Sequence, residues 1–330
     1  MPPHDAGAEA ALTFAAMRTD SPPPAPRRQR WDVEALWTRL VAELPGLSVE
    51  VVARAESTNT QLLERARLAG GRRDQPVTQP GELARGGPGE PRSPHGRRAV
   101  DIQPCLLIAE QQTQGRGRQG RPWQSGSAGE SLTFSLSLPF APPDWNGLSL
   151  VVGAALADAL DPDASAPRIG LKWPNDLWLT EAGGGGRKLG GILIETIAVG
   201  AQRMVVVGVG LNVLPQAFDG LASGYACLRE FHPTLDAPGA LERIAQPLVR
   251  ALWQFEETGF DAEQQARYTR RDVLRGCEVT TTAPGVAHGR AEGVAGSGAL
   301  RVRTPDQVLH EVTSADVSVR LATPGDGGAA

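Results

Sequence analysis

Between positions 132 and 138 apolar and small polar residues alternate strictly, with Leu132, Phe134, Leu136 and Leu138 set against Thr133, Ser135 and Ser137. That period of two predicts a half-buried strand. Val33, Leu36, Trp37, Leu40, Val41 and Leu44 recur instead at helical spacing, behind Asp32 as a cap and ahead of Pro45-Gly46 as a stop. The same reading gives a strand at 49–53 and a helix running from Thr58 through Leu62, Leu63 and Ala66, with Thr58 and Gln61 at capping-box spacing. A strand at 105–109, a helix at 148–160, paired strands at 171–179 and 188–196 joined through Gly183-Gly184-Gly185-Gly186, and a strand at 204–213 follow. Helices are predicted at 240–258 and 261–272, and then short β-like pieces at 278–282, 300–303, 308–312 and 317–321 alternate with glycine turns, as in a small barrel. The fold class expected is α+β, a mixed β-sheet flanked by helices and followed by a small C-terminal β-barrel.

The boundaries implied are a leader at 1–30, a main domain at 31–273 with a floppy Gly/Pro/Arg-rich insertion at 70–101, a barrel at 274–322 and a tail at 323–330. With 330 residues, 41% of them hydrophobic, the chain has material for one large core and a satellite. Cys105, Cys227 and Cys277 show no C-x-x-C spacing, so neither a disulfide framework nor a zinc site is indicated, and a reducing, cytoplasmic setting is expected. Residues 1–30 hold no long apolar run, so neither a signal peptide nor a membrane span is expected. A net charge of −4 gives no footprint for duplex DNA, and one helix behind a Pro/Ala-rich leader is not a helix-turn-helix. The five histidines are scattered without paired metal-ligand spacing.

One segment runs against the acidic balance. After the strand ending near Ala109 the chain reads Glu-Gln-Gln-Thr-Gln-Gly-Arg-Gly-Arg-Gln-Gly-Arg-Pro-Trp from Glu110 to Trp123, which sets Arg116, Arg118 and Arg121 among Gly115, Gly117 and Gly120. Glycines let backbone approach a ligand, and guanidinium forks match phosphate oxygens two at a time without losing charge. Such a loop is built to close over an anion; the plain alternative is a solvated Arg/Gly turn. Three further segments place polar residues at strand ends: Glu56-Ser57-Thr58-Asn59, Lys172-Trp173-Pro174-Asn175-Asp176, and Arg187-Lys188-Leu189-Gly190-Gly191-Ile192-Leu193-Ile194-Glu195.

Taken in order with Gly208-Val209-Gly210-Leu211-Asn212-Val213, these segments resemble the biotin protein ligase family from about Val49 to the C-terminus, and its monofunctional members in having a short N-terminus. The resemblance implies the biotin and lipoate ligase fold, related to class II synthetases, with an SH3-like C-terminal barrel. It also implies a two-step ligation. Biotin and ATP give biotinyl-adenylate and pyrophosphate, and a lysine of the biotin carboxyl carrier protein of acetyl-CoA carboxylase then attacks the mixed anhydride. ATP, Mg²⁺ and biotin are the implied co-substrate, activator and substrate, with no permanently bound cofactor. DNA and membrane are not implied partners; a homodimer is possible within the family.

By the same resemblance Arg118, Lys172, Asp176 and Lys188 are the catalytic group. Ser57, Thr58, Asn59, Gln112, Arg116, Gly117, Arg118, Trp123, Lys188, Gly190 and Gly191 bind biotin, and Arg116, Arg118, Arg121, Lys172 and Asn212 bind the nucleotide. Two anions must meet in the first step, so cations and Mg²⁺ have to cancel their repulsion. Asp176 is the metal ligand or the group that orients Lys172 and the incoming amine; a structural ion pair is the alternative. Ser57 and Thr58 are equally read as a helix cap, Trp123 as core, Gly190-Gly191 as a bulge and Asn212 as a turn residue. No adenine-stacking residue stands out at 225–231. The rival readings are a lipoate ligase, a biotin-responsive transcriptional repressor and a noncatalytic module that binds the carrier domain.

Overall fold

Asp32 accepts a hydrogen bond from the Ala35 amide at 3.0 Å and starts α1 (Val33–Leu40), which turns out of helical form before Leu44, earlier than its apolar spacing predicts. The computed structural model describes residues 29–73, 102–163, 165–182, 185–216, 223–313 and 319–321. The expected leader up to residue 28, the insertion from 74 to 101 and the tail lie outside the described residues. The first residues assigned to the insertion belong to a helix: α2 runs Thr58–Arg73, after strand β1 (Ser48–Ala55). Its cap is Ser57, whose Oγ accepts from the Thr60 amide at 3.4 Å, so the capping role expected of Thr58 shifts back by one residue.

The chain then lays down β2 (Cys105–Gln112), two-residue strands β3 (Gly115–Arg116) and β4 (Pro122–Trp123), β5 (Ser131–Pro139) and α3 (Leu148–Leu160). Next come β6 (Ile169–Lys172), β7 (Asp176–Thr180), β8 (Gly186–Val199), β9 (Gln202–Asn212), α4 (Ala237–Thr258) and α5 (Ala262–Thr269). Seven strands form one sheet in the order β1-β2-β5-β9-β8-β7-β6, parallel between β1 and β2 and antiparallel elsewhere. This is the mixed, helix-flanked sheet expected. Phe134, Leu136 and Leu138 pack with α1, α3 and α4 on one face, and α2 covers the other with Leu62 and Leu63 against Val52, Leu107 and Val206.

Two expectations are corrected here. The alternating strand β5 is buried on both faces. Its polar face lies under α2, where the Thr133 hydroxyl donates to the Ala109 carbonyl at 2.7 Å and the Ser135 hydroxyl sits 2.6 Å from both Thr58 Oγ1 and Asn59 Oδ1. Alternation reports polarity, and these hydroxyls are polar without being wet. The stretch 171–179, predicted as one strand, is the hairpin β6/β7 folded over Trp173-Pro174-Asn175. Pro174 has no amide to give a ladder. Asn175 holds the corner to β8, donating from Nδ2 to the Ile192 carbonyl at 2.7 Å while its own carbonyl accepts the Ile192 amide at 3.0 Å.

The C-terminal part is a five-stranded antiparallel sheet of β10 (Glu278–Thr281), β11 (His288–Val294), β12 (Leu300–Arg303), β13 (Leu309–Val312) and β14 (Val319–Leu321), in the order β13-β12-β11-β10-β14. Strand β11 escapes the sequence reading because Gly289, Ala291 and Gly293 face its core: with side chains this small, alternation leaves no hydrophobic signal. The small sheet is tied to the large one. The Leu171 amide donates to the Arg271 carbonyl at 2.6 Å, Trp173 Nε1 donates to the Gly298 carbonyl at 3.0 Å, and Val279, Leu300 and Val302 share one apolar cluster with Leu171 and Trp173.

Candidate active site

Where β2 ends, Gln112 is fixed by exchange with Ser125, whose hydroxyl accepts the Gln112 amide at 2.8 Å and donates to its carbonyl at 2.9 Å. Its side-chain Oε1 accepts the Thr58 amide at 2.7 Å and the Thr58 hydroxyl at 3.1 Å, so Gln112 and the first turn of α2 form one rigid polar corner. Asn59 completes it. Its Nδ2 donates to the Leu193 carbonyl at 3.1 Å and to Glu195 Oε2 at 2.9 Å. Ser57, Thr58 and Asn59 are all buried, and with Gln112 they line a cavity of about 320 Å³.

The arginine segment forms the opposite lip. Gly115 pairs with Trp123 and Arg116 with Pro122 across β3/β4, and the turn between them passes through Gln119 and Gly120 at positive φ, a conformation glycine adopts without strain. Trp123 lies flat against β9, so close that a Cβ at Gly210 would stand 2.4 Å from the indole ring. Its buried Nε1–H has no acceptor among the described residues. Gly208 plays the same part on β9 for Asn59, whose Oδ1 a Cβ would meet at 2.2 Å.

The strand ends supply charge. Lys188 Nζ donates to Asp176 Oδ1 at 2.7 Å. Lys172 is buried and its ammonium stands 4.9 Å from the centre of the Trp178 ring. Burial pushes the Lys172 pKa down, Asp176 opposes that shift, and the nearby charges of Lys188, Arg121 and Arg320 add to it. Asp176 is therefore the ion-pair partner of Lys188; Lys172, expected to be oriented by it, is its cross-strand neighbour instead. Arg116 Nη2 lies 2.7 and 3.0 Å from the two oxygens of Glu195.

Of the residues singled out in the sequence, Ser57, Thr58, Asn59, Gln112, Arg116, Gly117, Arg118, Arg121, Trp123, Lys172, Asp176, Lys188, Gly191 and Asn212 all line the one cavity. Gly190 does not. A Cβ there would stand 2.5 Å from the Gly210 carbonyl oxygen and 2.6 Å from the Leu211 side chain, so its smallness serves the packing of β8 on β9. Asn212 is more than a turn residue: its Nδ2 donates to the carbonyls of Lys188 at 3.2 Å and Ala226 at 2.9 Å, which fixes the wall at Ser223, Gly224 and Tyr225. That wall, with Phe134, Trp173, Ile192 and Val319, was not assigned from sequence. Glycines two apart in Gly208-Val209-Gly210 were the one available signal, since they put two missing side chains on the same strand face.

The cavity thus joins a polar, aromatic corner to a cationic floor, with Arg116, Arg118, Arg121, Lys172 and Lys188 set against the single carboxylate of Asp176 among its described lining residues. Such an arrangement suits an uncharged polar ring at one end and anionic groups, carboxylate or phosphate, at the other. Residues 103–212 match the Biotin/lipoate A/B protein ligase family, and residues 275–320 match the Biotin protein ligase C terminal domain. The biotin--[acetyl-CoA-carboxylase] ligase of Mycobacterium tuberculosis is 33% identical over 243 residues, which is 72% of this chain and 75% of that protein. The enzyme of the same name from Paracoccus denitrificans is 31% identical across 60% of this chain and 84% of its own length. The bifunctional ligase/repressor BirA of Escherichia coli is 31% identical across 71% of this chain, and 62% of its own length is spanned. Biotin protein ligase from Aquifex aeolicus, solved in complex with biotin and ATP, shares the fold with a TM-score of 0.61 at 23% identity, over 83% of this chain and 99% of that one. The chain belongs to the biotin protein ligase family.

Proposed function

We propose that this protein activates biotin with ATP and passes it to a lysine of the biotin carboxyl carrier domain of acetyl-CoA carboxylase, using the residues gathered in the cavity. One observation carries the reading: five cations and one carboxylate close on a pocket whose far corner is the Ser57–Thr58–Asn59–Gln112 cluster walled by Trp123. The corner suits a neutral ureido ring, and the indole suits an apolar tail. The biotin carboxylate oxygen attacks the α-phosphorus of ATP, a new P–O bond forms and pyrophosphate leaves. Arg118, Lys172 and Lys188 lower the repulsion between the two anions, and Arg116, Arg121 and Asn212 complete the nucleotide side. In the second step the carrier amine attacks the acyl carbon and AMP leaves with the C–O electron pair.

Mg²⁺ is part of the proposal. Among the described residues no group of three or more His, Cys, Asp or Glu side chains could cage a metal. Mg²⁺ needs no cage, because it takes one or two carboxylates and shares the substrate's phosphate oxygens. Asp176 fits that demand, and the ion would supply neutralising charge to the ATP phosphates. A cytoplasmic setting is proposed on the three free cysteines; among the described residues no helix is long and apolar enough to cross a membrane. Action without DNA and as a monomer or homodimer completes the reading.

The test is the intact mass of an isolated carrier domain after incubation with this protein, biotin, ATP and Mg²⁺. A single biotinyl addition is expected, with none when lipoate replaces biotin. Lys188→Ala should lower kcat/KM for adenylate formation by about a hundredfold or more, the scale of losing one preorganised charge donor. Addition of lipoate alone would overturn the choice of substrate.

A further inference from the structure

Glu195 lies outside the cavity, yet it joins the cavity's two ends. It sits on β8 with both oxygens engaged: Oε1 and Oε2 are 2.7 and 3.0 Å from Arg116 Nη2, and Oε2 also accepts Asn59 Nδ2 at 2.9 Å. Asn59 in turn is held through its Oδ1, 2.6 Å from the Ser135 hydroxyl, and through the Leu193 carbonyl. A continuous chain of hydrogen bonds, Ser135–Asn59–Glu195–Arg116, therefore runs from the buried face of the central sheet to the arginine hairpin. We propose that Glu195 is a positioning residue, which draws the hairpin β3/β4 over the cavity before nucleotide arrives and makes the hairpin's place depend on the order of the biotin corner.

The energetics fit that task. The pair is partly exposed, with 45% of the Arg116 side chain and 27% of the Glu195 side chain accessible, and pairs of this kind hold by roughly 0–1 kcal/mol. Asn59 already fixes the carboxylate, so less side-chain entropy is lost when Arg116 docks. A contact this weak biases the hairpin toward closure and still yields when the guanidinium meets a phosphate, which offers charge-assisted bonds in a less wet place. A stronger, fully buried pair would hold Arg116 away from the ligand.

This inference rests on the adenylating role proposed above, and its test separates the two. Glu195→Gln keeps an acceptor for Asn59 and removes the charge that Arg116 needs; Glu195→Ala removes both. Hydrogen exchange at residues 115–123 of the ligand-free protein should be several-fold faster in Glu195→Gln than in wild type, and equal to wild type when biotin and ATP saturate both proteins. The KM for ATP should rise several-fold with kcat within about twofold, and 1 M NaCl should bring the ligand-free exchange of wild type to that of the variant while leaving the variant's exchange unmoved. Glu195→Ala should add a rise in the KM for biotin through the released Asn59. Unchanged exchange in ligand-free Glu195→Gln, or a loss confined to kcat, would overturn the positioning role. A wild-type protein that forms no adenylate sinks the functional reading alone, since the ligand-free exchange comparison needs no catalysis.

Discussion

Lys172 shows how one residue acquires its role from its place. An ordinary lysine at a strand end is solvated; this one is buried on β6 against the Trp178 ring, and burial together with the positive charges of Lys188, Arg121 and Arg320 pulls its pKa down. The cation exists below that depressed pKa and is lost as pH rises through it, at lower pH than for a free lysine. Adenylate formation, followed as ATP–pyrophosphate exchange, is therefore expected to fall along an alkaline limb set by Lys172. Lys172→Arg, which keeps its charge throughout, should react more slowly at neutral pH and lose that limb. An identical limb in both proteins would assign the titration elsewhere. Asp176 teaches the converse. Its residue type and spacing told equally for a metal ligand, an orienter of Lys172 and a structural pair, and only the side-chain contact decides the last two: register sets Asp176 opposite Lys172, yet its ion-pair partner is Lys188 on β8.

At the scale of elements, β9 carries the most information per residue. Gly208 and Gly210 lie two apart and so share one face, where they admit Asn59 and the Trp123 ring against bare backbone. Gly210→Ala should therefore displace Trp123 from the wall, weaken biotin binding by about tenfold or more, and leave the melting temperature close to wild type, because the intruding methyl meets a hairpin rather than the packed core. Calorimetric titration with biotin measures the first and thermal unfolding the second. The elements themselves were largely legible. Helices α3 and α4 and strands β2 and β9 announce themselves by period and by long apolar runs, and the arginine segment by its composition. The misreadings share a cause, that pattern records side-chain character and is blind to what lies opposite. Hydroxyls on β5 look wet and are bonded under α2; the hairpin at Trp173-Pro174-Asn175 looks like a strand because hydrophobic residues continue through it; β11 looks like a loop because glycine and alanine form its inner face. Gly190 and Gly191 are adjacent and therefore face opposite ways, so only one of them can border the cavity.

On the scale of the whole molecule the C-terminal sheet belongs to the site as much as to itself. Val319 on β14 lines the cavity, Trp173 is anchored to Gly298, and Leu171 on β6 bonds on both sides of Asp272, accepting from Val273 and donating to Arg271. Asp272 thus lies in the segment leading from α5 to the small sheet, at the point where that segment is bridged to β6. Its Oδ1 accepts the Leu274 amide at 2.9 Å, its Oδ2 is buried with no partner among the described residues, and burial pushes its pKa up to about 6 from 3.8, against the opposing pull of the Leu274 and Arg275 amides and the Arg275 charge. The raised carboxyl means that the folded protein holds a proton the unfolded chain has released between those two values. Stability should therefore decline as pH climbs through that window and stay lowered above it. Asp272→Asn preserves the acceptor for Leu274 and removes the buried charge, so it should be more stable than wild type by about 1–3 kcal/mol above the window and no more stable below it. Urea unfolding of both proteins across that range measures the difference. A variant less stable than wild type above the window, and equal to it below, would mean that the charge, and not merely the carbonyl-like acceptor, holds this segment against β6.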